Sequence, residues 1–182
     1  LFLFFVPVPL TYSSLAMNTA VPGYTEELKK SLTEDFPVIT TDALITLTTE
    51  RMYRYPMTRL ADRFAENSDV YAYRYDYEPS LVKLTTLGAF HATEIPLLFD
   101  SELKLGSFEF KIFKNDEDKE VGSRMRAYWG NFAKYGCPDK SWTRYDAENR
   151  AALVIDKTDK VVNNPFGERM ALYEAYVSPW KR

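Results

Sequence analysis

With 182 residues, 46% of them hydrophobic, the chain can bury a substantial core and lies within single-domain range. Its 23 basic and 26 acidic side chains give a net charge of -3, which leaves no electrostatic footprint for a nucleic-acid partner. The single cysteine, Cys137, excludes an internal disulfide and a cysteine-built metal cluster, and neither metal nor cofactor is expected.

The chain opens on LFLFFVPVPL (1–10), which is apolar but contains two prolines and is too short for a membrane span of about 20 residues. The first positive charge is Lys29, so the basic start of a signal peptide is missing from this stretch. Tyr24 to Phe36 reads as a short amphipathic helix, with Leu28, Leu32 and Phe36 at spacing four and Pro37 as its stop. Asp42 to Asn67 is a longer helical region in which Tyr53, Met57, Leu60 and Phe64 recur on one face. Pro56 kinks it or marks a junction between two helices. Val70 to Tyr77 alternates aromatic residues with Val, Ala, Arg and Asp, the period of a strand.

Lys83 to Gly88 is a loop leading to His91, the only histidine, within GAFHATEIPLLFD (88–100). A lone imidazole is the one candidate for acid–base chemistry through histidine near neutral pH. Glu94 to Phe99 is a short helix, and Asn115 to Glu120 is a charged, solvated surface loop. Glu120 to Tyr135 is the clearest helix: Val121, Met125, Tyr128, Trp129 and Phe132 form one stripe, read as core packing. Cys137 lies in a Gly-Cys-Pro turn as a bystander thiol. Trp142 to Asp156 reads as turns and a short strand pair around Leu153-Val154-Ile155, and Pro165 to Val177 as a terminal helix. No internal repeat, low-complexity tract or clear domain boundary interrupts the chain.

Four segments in one order resemble the type-B carboxylesterases and cholinesterase-like proteins, a branch of the α/β-hydrolases. TERMYRYP (49–56) resembles the family's T-D-x-x-[FY]-x-x-P helix start, with Glu50 where Asp is usual, and VYAYRYDY (70–77) resembles its last long strand. GAFHATEIPLLF resembles the histidine segment, with Gly88, Ala89, His91, Glu94, Ile95 and Phe99 in place. MRAYWGNFAKYGCPD (125–139) resembles M-x-x-x-W-x-x-F-A-x-x-G-x-P, followed by Trp142 and Tyr145. The resemblance implies an α/β fold class, the C-terminal portion of an α/β-hydrolase: last sheet strand, histidine loop, packing helices and a small terminal β pair.

It also implies a serine esterase in which His91 is the triad histidine. That fold needs a G-x-S-x-G elbow and orders its triad as serine, acid, histidine. None of the seven glycines brackets a serine at that spacing. The expectation is therefore a C-terminal fragment, residues 1–182 of a single domain truncated upstream of Leu1, that packs against the missing N-terminal part and is inactive alone.

The resemblance assigns Glu94 to a supporting position that steadies the histidine loop. Phe2, Phe4 and Phe5 correspond to an aromatic segment lining the substrate gorge, with plain core packing as the equal alternative; Phe90 is a further candidate wall. Asp76, at the strand end, is read as structural. The implied partner is a small-molecule ester, and a catalytically inactive adhesion or storage protein is the alternative from another class. The particular ester, the compartment and the oligomeric state are not written in these residues.

Overall fold

The computed structural model describes residues 26–35, 46, 49–80, 82–84, 89, 93–101, 103–105, 108–110, 114–167 and 169–176. Two compact units divide the chain: Leu1–Leu60 with Phe166–Arg182, and Ala61–Pro165.

In the first unit, helix α1 (Glu26–Asp35) buries Leu28 completely. A π-helical turn, Glu50–Arg54, runs straight into α2 (Tyr55–Ala65), which continues past Leu60 into the second unit; Tyr55 N–H donates to Glu50 O, and Pro56, which has no N–H to give, stands at the change from π to α. Of the two readings open for Pro56, the junction is the one observed. The face on which Tyr53, Met57, Leu60 and Phe64 recur is exposed, whereas Tyr55 and Thr58 are buried. The terminal helix α5 covers Met170–Tyr176, shorter than the expected Pro165 to Val177, and its Tyr173 packs against Tyr55 with ring centroids 5.9 Å apart. Buried Glu50 receives Arg169 through Nη2 at 2.8 Å and Nε at 2.9 Å, and Tyr173 Oη at 3.0 Å. A buried carboxylate is tolerated only when paired and hydrogen-bonded in this way.

The second unit is built on a three-stranded sheet. Strand β1 (Ala72–Tyr75) occupies the middle of the expected Val70 to Tyr77. The N–H groups of Asp76 and Tyr77 continue it by donating to Ile155 O. Helix α3 (Ile95–Leu98) falls within Glu94 to Phe99. A two-stranded antiparallel ribbon follows, β2 (Leu103–Leu105) with β3 (Phe108–Phe110), in a region for which sequence offered no element. Helix α4 runs Asp116–Tyr135 and ends at Gly136, whose φ of 71° is the left-handed conformation that glycine adopts without strain.

Strand β4 (Ala151–Ile155) is buried along its whole length, and β5 (Lys160–Asn163) closes the sheet in the order β1-β4-β5. The strand pair expected between Trp142 and Asp156 is thus corrected: the antiparallel partner of β4 comes after Asp156, with Ala152 opposite Val162. β1 and β4 pair in parallel, Tyr73 opposite Leu153 and Tyr75 opposite Ile155. An unbroken apolar run such as AALVI suits a strand covered on both faces. Among the described residues β1 pairs along one edge only.

The core of this unit joins Tyr77, Leu97, Val121, Met125, Trp142, Leu153 and Ile155. The stripe expected on α4 supplies Val121 and Met125 directly, and Tyr128 and Trp129 pack against it. Phe132, at the far end of the stripe, is half exposed. The Trp142 indole N–H donates to Ala72 O at 3.0 Å, and its ring meets Tyr128 edge-on at 5.4 Å. Edge-to-face pairs of this kind add about 0.5–1.5 kcal/mol beyond their buried area.

Candidate functional site

Most of the chemistry-bearing segment of the sequence, residues 85–88 and 90–92 with Phe90 and His91 among them, lies outside the described residues, as do Phe2, Phe4 and Phe5. What is described is the structure on either side of it. On the incoming side, β1 delivers Tyr77, Pro79 and Ser80, and a 3₁₀ turn follows over Val82–Leu84. On the outgoing side, Thr93 is buried and Glu94 heads α3. The Glu94 carbonyl accepts from the N–H groups of Leu97 at 3.1 Å and Leu98 at 2.9 Å, which starts the helix.

Glu94 is half-buried. Burial raises the pKa of the Tyr73 and Tyr75 hydroxyls, and the nearby Glu94 charge raises both further. Phenols so placed stay protonated at neutral pH and can donate but not act as bases. Tyr75 Oη is buried without a hydrogen-bond partner among the described residues.

The residue that sequence reasoning missed is Asp118. The stretch Asn115 to Glu120, expected as a solvated loop, is instead the cap and first turn of α4. Asn115 Oδ1 accepts from Asp118 N at 2.8 Å and Asp118 Oδ2 accepts from Asn115 N at 3.0 Å, a reciprocal capping box. Asp118 is fully buried (0% exposed) and also accepts from Tyr77 Oη at 2.7 Å, Ser80 N at 3.1 Å and Ser80 Oγ at 2.6 Å. Burial by itself would raise its pKa; the bonds from Ser80, Tyr77 and the Asn115 backbone outweigh burial and hold it below the ordinary value. The signal was present as Asn115 followed three residues later by an acid, a helix-start pattern hidden inside a charge run.

The outgoing side also meets α4. Arg126 Nη1 donates to Leu97 O at 2.7 Å. Gly122 lies against the same group so closely that a Cβ there would stand 2.7 Å from Leu97 O. Asp76, read as structural, is held by Arg74 through Nε at 2.8 Å and Nη2 at 2.7 Å. A fork-to-carboxylate pair of this kind fixes geometry. Cys137 donates weakly to Asp139 O at 3.6 Å, in keeping with a bystander.

An aromatic cleft of about 180 Å³ opens elsewhere in this unit, lined by Tyr71, Tyr73, Tyr128, Trp129, Phe132, Pro138 and Trp142. Its lining suits an apolar group and carries no carboxylate, imidazole or cation. Among the described residues no group of His, Cys, Asp and Glu could hold a metal ion, and no helix is long and apolar enough to cross a membrane.

Residues 9–173 match the carboxylesterase family. The chain is 25% identical over 174 residues to the para-nitrobenzyl esterase of Bacillus subtilis (strain 168), covering 92% of this chain and 34% of that protein. It is 36% identical over 100 residues to the acetylcholinesterase of Bungarus fasciatus, covering 50% of this chain and 16% of that protein. Among solved structures, a carboxylesterase of Geobacillus stearothermophilus superposes with a TM-score of 0.68 at 30% identity, over 85% of this chain and 33% of that one. The architecture is a partial α/β-hydrolase, and the chain spans about a third of the two bacterial esterases.

Proposed function

Because the chain belongs to the carboxylesterase family, we propose that it contributes the general base, His91, to a serine carboxylic ester hydrolase. The nucleophile and the catalytic acid then come from polypeptide outside these 182 residues. One observation carries the reading: the family match spans residues 9–173 and includes GAFHATE, in which the only histidine stands.

In this mechanism the neutral imidazole accepts the serine proton as the hydroxyl attacks the ester carbonyl. The acyl-enzyme forms and the alcohol leaves with that proton. The imidazole then takes a proton from water as it attacks the acyl carbonyl, and returns that proton to the serine oxygen as the carboxylic acid is released. The catalytic acid holds the ring in the correct tautomer and stabilises the imidazolium.

Glu94 acts as a positioning residue for the histidine loop, and Phe2, Phe4, Phe5 and Phe90 wall the ester pocket. The partner of the chain is the remainder of the same domain. Support for this comes from apolar side chains left bare at α3, Ile95 and Phe99, the latter 70% exposed. Large bare apolar surface on a folded protein marks a surface that something else covers.

The test is hydrolysis of p-nitrophenyl acetate. The 182-residue chain alone is expected to act no faster than an equal concentration of imidazole. The same chain completed upstream with a serine elbow and a catalytic acid is expected to turn over saturably. His91→Gln in that protein should lower kcat on the order of 10⁴-fold, with the melting temperature unchanged. Full turnover by the isolated chain, or ordinary activity in folded His91→Gln, would overturn the proposal; a folded, completed protein without turnover would overturn it in favour of the non-enzymatic adhesion class.

A further inference from the structure

Asp118, Gly122 and Arg126 stand four residues apart on α4, and side chains at that spacing share one face of a helix. Each touches a segment flanking the histidine. At the incoming foot, Asp118 binds the Tyr77 hydroxyl and both the N–H and Oγ of Ser80. At the outgoing foot, Arg126 binds Leu97 O, and the bare backbone of Gly122 lets that same carbonyl approach. The two feet are 17 residues apart in sequence, Ser80 to Leu97, and a single rigid helix holds them both.

We propose that the Asp118–Gly122–Arg126 stripe positions His91, by clamping both ends of the connection that carries it onto one helix. The stripe touches neither the ester nor the reacting atoms, so its members are positioning residues. The inference rests on His91 being the base in the reading above. Three features argue for it over a purely local role. The buried carboxylate spends its acceptor capacity on the incoming foot as well as on the cap of its own helix. The outgoing contact joins a guanidinium to a backbone carbonyl, which fixes the chain path whatever the side chain at 97. Gly122 is required by the approach itself, since any side chain would drive into a backbone oxygen.

A chain with one histidine gives one imidazole signal, and its Cε1–H resonance in a ¹H–¹³C correlation spectrum reports the surroundings of His91 directly. Ser80→Ala and Arg126→Gln weaken one foot each. Gly122→Ala displaces the outgoing foot without removing any polar group, and Asp118→Asn weakens the incoming foot more strongly. Arg124→Gln is the control: on the same helix it holds Asp159 at 3.0 Å and Asp156 O at 2.7 Å at the β4–β5 turn, away from both feet.

The expected result is a displaced or split His91 resonance in Ser80→Ala, Arg126→Gln and Gly122→Ala, and an unmoved one in Arg124→Gln at comparable loss of melting temperature. In the completed enzyme the three foot variants should lower kcat about tenfold with KM held. An unmoved resonance in folded foot variants overturns the proposal, as does an equal displacement in Arg124→Gln. Because the resonance is read without turnover, these outcomes stand apart from the His91→Gln activity test. A stripe that moves the imidazole of a protein indifferent to His91→Gln would leave the contact of the stripe with the loop correct and the role of His91 as base wrong.

Discussion

Helices α2 and α4 carry similar apolar stripes with opposite fates. On α4 the stripe begins with Val121 and Met125 buried in the core, and Tyr128 and Trp129 pack against it. On α2 and the turn before it, Tyr53, Met57, Leu60 and Phe64 repeat at the same helical period, yet Leu60 is 57% and Phe64 56% exposed. Periodicity thus identifies a helix and the face it would bury, but not whether a partner for that face is present. β1 and β4 supply the partner for α4; among the described residues nothing comparable covers Leu60 and Phe64 on α2.

The largest effect that would break this comparison is on the buried side. Met125→Ala removes a fully buried side chain from a close-packed cluster and should cost about 2–5 kcal/mol in denaturant unfolding. A loss below about 1 kcal/mol would mean that the α4 seam is not packed as described.

The intermediate effect is pH-dependent. Asp118→Asn should destabilise by about 1–3 kcal/mol at pH 7, since bonds to Tyr77, Ser80 and Asn115 lose their charged acceptor. The native carboxyl is held below its ordinary value of 3.8. Its stabilisation is therefore fully present above the unfolded-state pKa and is lost as pH falls through the lower native one. Urea titrations at stepped pH should show a gap between parent and variant that is constant near neutrality and closes below about pH 4. A gap that stayed constant into acid would dissociate the stabilisation from the ionised carboxylate.

The smallest effect belongs to α2. Leu60→Ser with Phe64→Ser should change stability by about 0.5 kcal/mol or less, while light scattering shows reduced self-association. A cost of several kcal/mol would show that this chain itself covers the stripe.

Much of the fold was legible because its signals are local. Helix α1 ended within a residue or two of its expected bounds, and β1 fell inside its alternating run. The stripe of α4 named Val121, Met125, Tyr128 and Trp129, which pack, along with Phe132, which is half exposed, and four ordered motifs identified the family. The failures have physical causes. Three-residue strands such as LKL and FEF are too short for a period of two to be told from chance, so the β2–β3 ribbon went unread. The start of α4 was hidden because Asn115, Asp116, Glu117 and Asp118 read as a solvated charge run, although one of the four is wholly buried. Net charge along a segment does not reveal which carboxylate turns inward; the spacing of a capping box would have. Of the candidate site, sequence named Glu94 at the head of its helix, whereas His91 and the phenylalanines lie outside the described residues.

The parallel pairing of β1 with β4 also bears on how the unit is made. Ala72 meets Ala152, a partner 80 positions later, and all of α3, the β2–β3 ribbon and α4 lie between them. Closing so long a loop costs entropy before any ladder bond repays it, so this pairing is intrinsically slow relative to helix formation. On the ribosome, β1 must wait until the residues of β4 have emerged. During that interval Tyr73 and Tyr75 sit on an unpaired strand, the state most open to misassociation and to capture by chaperones.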